Sequence, residues 1–346
     1  MGKANVTGKP PAAVVFKDNP SREPTLEELN DPQSFYAPRQ LPLSDFYICS
    51  RGRADSSTTG DLLDRHGIHN WYYVVDAFEE AAYRAVYGDR VLVAPPEYSE
   101  PYDPKDNPKG TEFLDSFRNY PDLDSFLDRH ALKDLEDWEQ EARIELYMKD
   151  KPGTPASKRN YAHDDSLKKG HDWHWILDDD LLYFGKEGHG RNKMLPSDFN
   201  IGEVLGYFEE FCNGIDGLGV SELDNFGLSF NREKNADVLY NVKCYTFMRI
   251  KNGTGIRWTG RFNDDVLLCE KFLNAGYKTL SSKAITCLTR DTQVHGGGLT
   301  DLYKSEGTLK KSMMVPKINP LPSDIMIRYG RIHHLTDWAS WKQGRL

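Results

Sequence analysis

No apolar run in the 346 residues approaches the roughly 18 to 20 needed to cross a bilayer, which excludes a membrane-spanning helix and, with it, a membrane partner. The N-terminus, Met1-Gly2-Lys3-Ala4-Asn5, runs on into Pro-, Lys- and Asn-containing sequence without the apolar core of a secretory signal, so cytosolic residence is expected. Cysteine is scarce: Cys49, Cys212, Cys244, Cys269 and Cys287 are odd in number and far apart, which argues against a disulfide framework or a thiolate zinc site and favours buried free thiols. Basic charge is also short, with 44 Lys and Arg against 53 Asp and Glu and a formal net charge of -9. That excludes a surface coated for phosphate backbones, although Lys168-Lys169, Lys310-Lys311 and the tail Arg328, Arg331, His333 and His334 leave room for a local basic groove. No internal repeat and no glycine-serine linker divides the chain, so one large domain is expected.

What is present reads as alternating strands and helices. Residues 1–44 are rich in Pro, Asn, Lys and Glu and predict an irregular arm. Phe46 to Ser50 is a short apolar strand ending in Arg51-Gly52-Arg53, followed by a helix through Leu62, Leu63 and His66, capped from Asp55, Ser56 or Ser57 and stopped by Gly67. A second strand, Asn70 to Asp76, leads to a helix carrying Phe78, Ala81, Ala82 and Val86, and a third, Arg90 to Ala94, stops at Pro95-Pro96. This is the start of a doubly wound α/β sheet, in which ligands bind beyond the carboxyl ends of the strands. Ser50, Arg51, Arg53 and Asp76 then lie on one rim and are candidates for binding a nucleotide. Residues 97–160, with helices over Leu123 to Leu132 and Leu135 to Met148, read as an insertion. Beyond it come strands over Trp173 to Leu177, Asn225 to Phe230, Leu239 to Ile250 and Lys278 to Leu280, and helices over Gly202 to Cys212 and Val266 to Ala275. The expected fold is a single α/β domain over 45–315 with a Rossmann-like, mixed central sheet, followed by a basic and aromatic extension, 316–346.

The chemistry concentrates at two acidic clusters. In Trp173-His174-Trp175-Ile176-Leu177-Asp178-Asp179-Asp180 an apolar strand runs directly into three carboxylates. On an extended segment Asp178 and Asp180 point one way and Asp179 the other, so the outer pair can hold a hard cation, Mn²⁺ or Mg²⁺, against a diphosphate. Asp179 belongs to the same donor-facing group. An acidic turn that merely follows a strand is the plainer alternative. The second cluster, Gly260-Arg261-Phe262-Asn263-Asp264-Asp265, opens a helix that Asn263 can cap, where the helix dipole favours ionised acids. Either Asp264 or Asp265 there suits a general base that takes the proton of an acceptor hydroxyl. Further on, His295-Gly296-Gly297-Gly298 sets a possible metal ligand, His295, beside backbone that can approach phosphate, as at Gly296 and Gly297, with Lys304, Lys310 and Lys311 as point charges for a diphosphate.

Phe46 to Arg53, Tyr72 to Asp76, Asp178 to Asp180 and Gly260 to Asp265 together resemble the GT-A glycosyltransferases, and among these the TET-associated glycosyltransferases of bacteriophages, which add sugars to hydroxymethylated pyrimidines in DNA. The resemblance implies a GT-A-like nucleotide-binding domain, with Arg51 and Arg53 near the nucleotide of a UDP-sugar donor, a metal on Asp178 and Asp180, and His295 as its distal ligand. It makes DNA containing 5-hydroxymethylcytosine the acceptor, its base extruded to reach the site while Trp258, His333, Trp338 or Trp341 fills the gap. Where the family commonly carries Glu-Asp at the helix entrance, this chain has Asp264-Asp265. The competing readings are a glycosyltransferase acting on a protein, glycan or small molecule, a glycoside hydrolase, and a non-enzymatic nucleic-acid-binding module.

Overall fold

The computed structural model describes residues 43–95, 98, 155–186, 193–194, 201–225, 238–260, 262–290, 309–319, 322–328 and 331–344. Its centre is a curled, mixed sheet. In chain order the strands are β1 (Phe46–Cys49), β2 (Trp71–Asp76), β3 (Val91–Ala94), β4 (Trp173–Asp178), β5 (Leu181–Lys186), β6 (Lys193–Met194), β7 (Leu218–Asn225), β8 (Val238–Tyr240), β9 (Phe247–Lys251) and β10 (Lys278–Thr289). They lie side by side as β3-β2-β1-β4-β9-β7-β10-β5-β6, with β8 pairing β10 off this path. The parallel block β3-β2-β1-β4 reverses its direction of growth between β1 and β4, which makes the crevice at their carboxyl ends the place where such sheets bind ligands.

The strands of that block are apolar on both faces because helices cover both, as buried parallel sheets require. Phe46 and Ile48 of β1, Tyr73 and Val75 of β2 and Trp175 and Leu177 of β4 face one layer, joined by Leu62 and Leu63 of α1 (Thr59–Arg65), Tyr83 of α2 (Glu80–Tyr87) and Leu205 of the helix Ile201–Asn213. The alternating residues Tyr47, Val74 and Ile176 face the other layer, with Ala156 and Ala162 of α3 (Pro155–Lys168) and Leu268, Cys269 and Phe272 of the helix Asp264–Asn274. We call Ile201–Asn213 α4 and Asp264–Asn274 α5. The chain is thus a mixed α/β domain of Rossmann-like, GT-A type. A hairpin of β11 (Ser323–Arg328) and β12 (Arg331–Thr336) docks on α5, where the buried Glu270 accepts hydrogen bonds from Ser323 Oγ at 2.8 Å and Thr336 Oγ1 at 2.9 Å.

Several local expectations are corrected. Phe78, Ala81, Ala82 and Val86 are exposed; α2 instead buries Tyr83, whose ring fills the core while its hydroxyl takes the backbone N–H of Arg53 at 3.1 Å. Helix α1 has Thr58, not Asp55, Ser56 or Ser57, at its N-cap position and no side-chain cap, while Ser57 Oγ donates to the carbonyl of Asp179 at 2.8 Å. Asn263 does not cap α5 either: it sits in the left-handed region at φ 52°, tolerable for Asn, and sends Nδ2 to the carbonyl of Lys311. The single strand expected over Leu239 to Ile250 is split into β8 and β9, with Asn241 at φ 53° breaking it. The strand expected to begin at Asn225 ends there, as β7, and 226–230 lie outside the described residues. Strand β10 runs far past Leu280, because its polar Ser281 is paid for by Glu222 Oε1 at 2.7 Å inside the sheet. The arm 1–42, the helices expected within 99–150, and the tract holding His295, Gly296, Gly297 and Lys304 lie outside the described residues.

Candidate active site

Cys49, the last residue of β1, sits directly opposite Asp178, the last residue of β4. Everything that follows each strand therefore meets at one level, the rim of the crevice. Asp179 points inward and is buried: its carboxylate accepts from Ser50 Oγ and from Arg53 Nη1 at 2.6 Å, and its carbonyl accepts from Thr58 N at 3.0 Å. Asp179 thus ties the acid cluster to the loop after β1, with only 6% of its side-chain surface accessible. Asp178 and Asp180 face outward, with 39% and 20% of their side-chain surfaces accessible.

Asp76, at the end of β2, is buried in an ion pair with Lys158 Nζ at 2.9 Å. Next to it Glu79 accepts from Gly52 N, with its other oxygen buried and lacking a hydrogen bond. Gly52 has φ 66°, a backbone state that lets the loop turn its N–H toward that acid. Arg51 lays its guanidinium 5.6 Å from the exposed ring of Phe78, also on this rim.

The two acidic clusters, more than 80 residues apart in sequence, are joined by a residue of α3. Arg159 donates from Nη2 to Asp178 Oδ1 at 3.2 Å and from Nη1 to Asp264 Oδ2 at 2.9 Å, with its guanidinium 4.6 Å from the ring centroid of Trp258. Asn160 fastens the same helix to Trp258, donating to its carbonyl at 2.9 Å and accepting from its N–H at 3.0 Å. Trp258 is therefore a buried support under Arg159, which removes it from the residues able to enter a DNA stack. On the far side of Asp264, Asp265 pairs with Lys243 Nζ at 2.9 Å.

The electrostatics follow from this crowding. Burial and the repulsion of neighbouring aspartates raise the proton affinity of Asp178 above the ordinary carboxylate range despite Arg159, and Asp180 is raised for the same reasons despite Arg53 and Arg290. Burial lifts Asp264 to about 6. Burial works to raise Asp265 as well, but Lys243 outweighs it and holds that acid below the usual range. Asp178 and Asp180, two outward carboxylates of hard oxygen character, fit a divalent cation, each with one arginine, Arg159 and Arg53, already beside it. Among the described residues no third His, Cys, Asp or Glu joins them to complete a ligand set, and His295 lies outside.

Lys158, Arg159 and Asn160 are hard to find from sequence because they fall in 97–160, taken as an insertion, and because α3 buries mostly polar side chains beside Ala156 and Ala162. The available signal was a basic pair some twenty residues ahead of Asp178. Lys243 and Glu79 carried no motif at all.

A Rossmann-like mixed sheet with its ligand crevice at the switch point between β1 and β4 defines the class of fold, the GT-A type. The sequence profile of one family narrows this: that of the TET-Associated Glycosyltransferases matches residues 44–298, about three quarters of the chain. The chain belongs to that family and is a glycosyltransferase. No curated protein and no solved structure matches it.

Proposed function

We propose that the chain moves a sugar from a UDP-sugar to the hydroxyl of 5-hydroxymethylcytosine in DNA, with Mn²⁺ or Mg²⁺ held by Asp178 and Asp180. The observation that carries this reading is that Arg159 brings Asp178 and Asp264, one from each acidic cluster, to the two prongs of one guanidinium. Donor-side and acceptor-side acids then flank a common space, as transfer from diphosphate to hydroxyl needs. When bound, the cation neutralises charge on the departing diphosphate. Arg51 and Arg53, on the loop beyond β1, face the nucleotide. Asp265 is the base: it is less enclosed than Asp264, is ionised at neutral pH, and takes the proton from the attacking hydroxyl. DNA as acceptor is proposed on the resemblance to enzymes that glycosylate hydroxymethylated pyrimidines; the net charge of -9 favours a glycan or protein instead, and the test separates them.

The protein is incubated with Mn²⁺, a panel of UDP-sugars and DNA containing 5-hydroxymethylcytosine or plain cytosine, and the DNA is digested for nucleoside mass spectrometry. A sugar-sized mass gain confined to hydroxymethylated DNA and lost in Asp178→Ala is the expected result. UDP release without any gain on DNA moves the acceptor to a glycan, protein or small molecule.

A further inference from the structure

We propose that Arg159 is a positioning residue that locks the acceptor-side helix entrance to the donor-side carboxylate, so that sugar leaving the donor meets the acceptor hydroxyl rather than water. The proposal rests on the assignment above of Asp178 to the donor and Asp265 to the acceptor.

Arg159 is buried, and each of its terminal nitrogens has a different acid: Nη2 at 3.2 Å from Asp178 Oδ1, Nη1 at 2.9 Å from Asp264 Oδ2. Its plane is fixed by the ring of Trp258, 4.6 Å away, and Trp258 is itself bonded through its backbone to Asn160, the next residue of α3. A planar, always charged fork can span two carboxylates in this way, whereas an ammonium is a single point charge. The span matters because Asp264 is the first residue of α5 and Asp265 the second. The opening of α5 has no side-chain cap of its own and begins from a left-handed Asn263, so Arg159 supplies a restraint that local sequence does not. A displacement of about 1 Å at such a point is enough to cost some 100-fold in a positioned reaction. Arg159 also places a positive charge beside a carboxylate proposed to hold a cation, which opposes metal uptake. Positioning and metal affinity are thus pulled in opposite directions by one side chain, a combination that a merely structural arginine does not produce.

The test uses the full chain as wild type, as Arg159→Lys, and, in case the lysine variant fails to fold, as the double variant Arg159→Met with Asp264→Asn, which leaves no charge unpaired at the buried position 264 and frees the more exposed Asp178 of its arginine. Mn²⁺ uptake is read by electron paramagnetic resonance, and sugar placed on acceptor is compared with total UDP released. In Arg159→Lys the sugar transferred per UDP released falls about tenfold or more while Mn²⁺ affinity stays within about threefold, because charge is kept and the fork is lost. In the double variant transfer per UDP falls likewise, and Mn²⁺ binds several-fold more tightly. An unchanged ratio of transfer to UDP release in both variants, or full rescue by lysine, overturns the proposal. Wild-type protein that takes up no Mn²⁺ yet releases UDP sinks the metal reading of Asp178 and leaves the fork to be judged on the ratio alone. Absence of both signals overturns the two together.

Discussion

Asp265 stands 2.9 Å from the Lys243 ammonium, and that neighbour, working against burial, keeps it ionised where Asp264 is lifted to about 6. Asp265→Asn is expected to lower kcat by about 100-fold or more with the donor KM within a few-fold, the pattern of a group acting in the transition state. A rise in donor KM at unchanged kcat, measured in steady state, would reassign Asp265 to binding. A second residue-scale outcome concerns stability. His174 is fully buried, and its Nδ1 lies 2.7 Å from Asn252 Oδ1. Burial, with His163, Arg249 and His171 adding repulsion, depresses it to about 3 from an ordinary value near 6.5. As pH falls below about 6.5 the unfolded chain takes up a proton that the native chain refuses until about 3, so stability drops across that window, by about 5 kcal/mol at most. Urea midpoints at pH 7, 5 and 4 should fall steeply in wild type and more shallowly in His174→Gln. Equal slopes would move the acid sensitivity elsewhere.

Among the elements, α5 is held by what precedes it. Gly260 has φ 93°, and a Cβ there would meet Leu267 Cδ1 at 2.6 Å and the Phe262 carbonyl at 3.2 Å. Gly260→Ala should therefore cost about 1–3 kcal/mol and displace the entrance of α5, seen as a lower melting temperature together with weaker transfer. Unchanged melting would mean that the segment relaxes freely. The strands β1, β2, β3 and β4 were legible one by one, because short apolar runs bounded by Gly, Pro and Asp leave few other readings, but the place of β4 beside β1 was not. The expectations failed where polar residues are buried. Ser281 looked like the end of a strand and is inside one, α3 hid its role because it buries Lys158 and Arg159, and α2 turned its tyrosine inward rather than its alanines. The acid clusters were visible by themselves; that one arginine holds both depends on tertiary placement that spacing does not encode.

For the whole molecule, a net charge of -9 means that any grip on DNA must come from a local patch working against the remaining surface. If duplex DNA is the acceptor, log affinity should fall linearly with log salt, at about 0.9 per phosphate neutralised. A slope near zero, measured by fluorescence anisotropy from 50 to 300 mM NaCl, about the usual working range, would point to an uncharged acceptor.

The strand order has a consequence in time. Phe46 of β1 pairs with Trp175 of β4, 129 positions later. At about 5–20 residues per second, a ribosome delivers β4 roughly 6–26 s after β1. Throughout that interval β1 can be sealed by β2 on one edge only, and Tyr47 and Ile48 flank an open ladder until β4 arrives. The candidate active site, built on the ends of these two strands, is thus among the late parts of the nascent chain to form, and the growing polypeptide is most exposed to chaperones, or to its own neighbours on a polysome, while the catalytic crevice is half written.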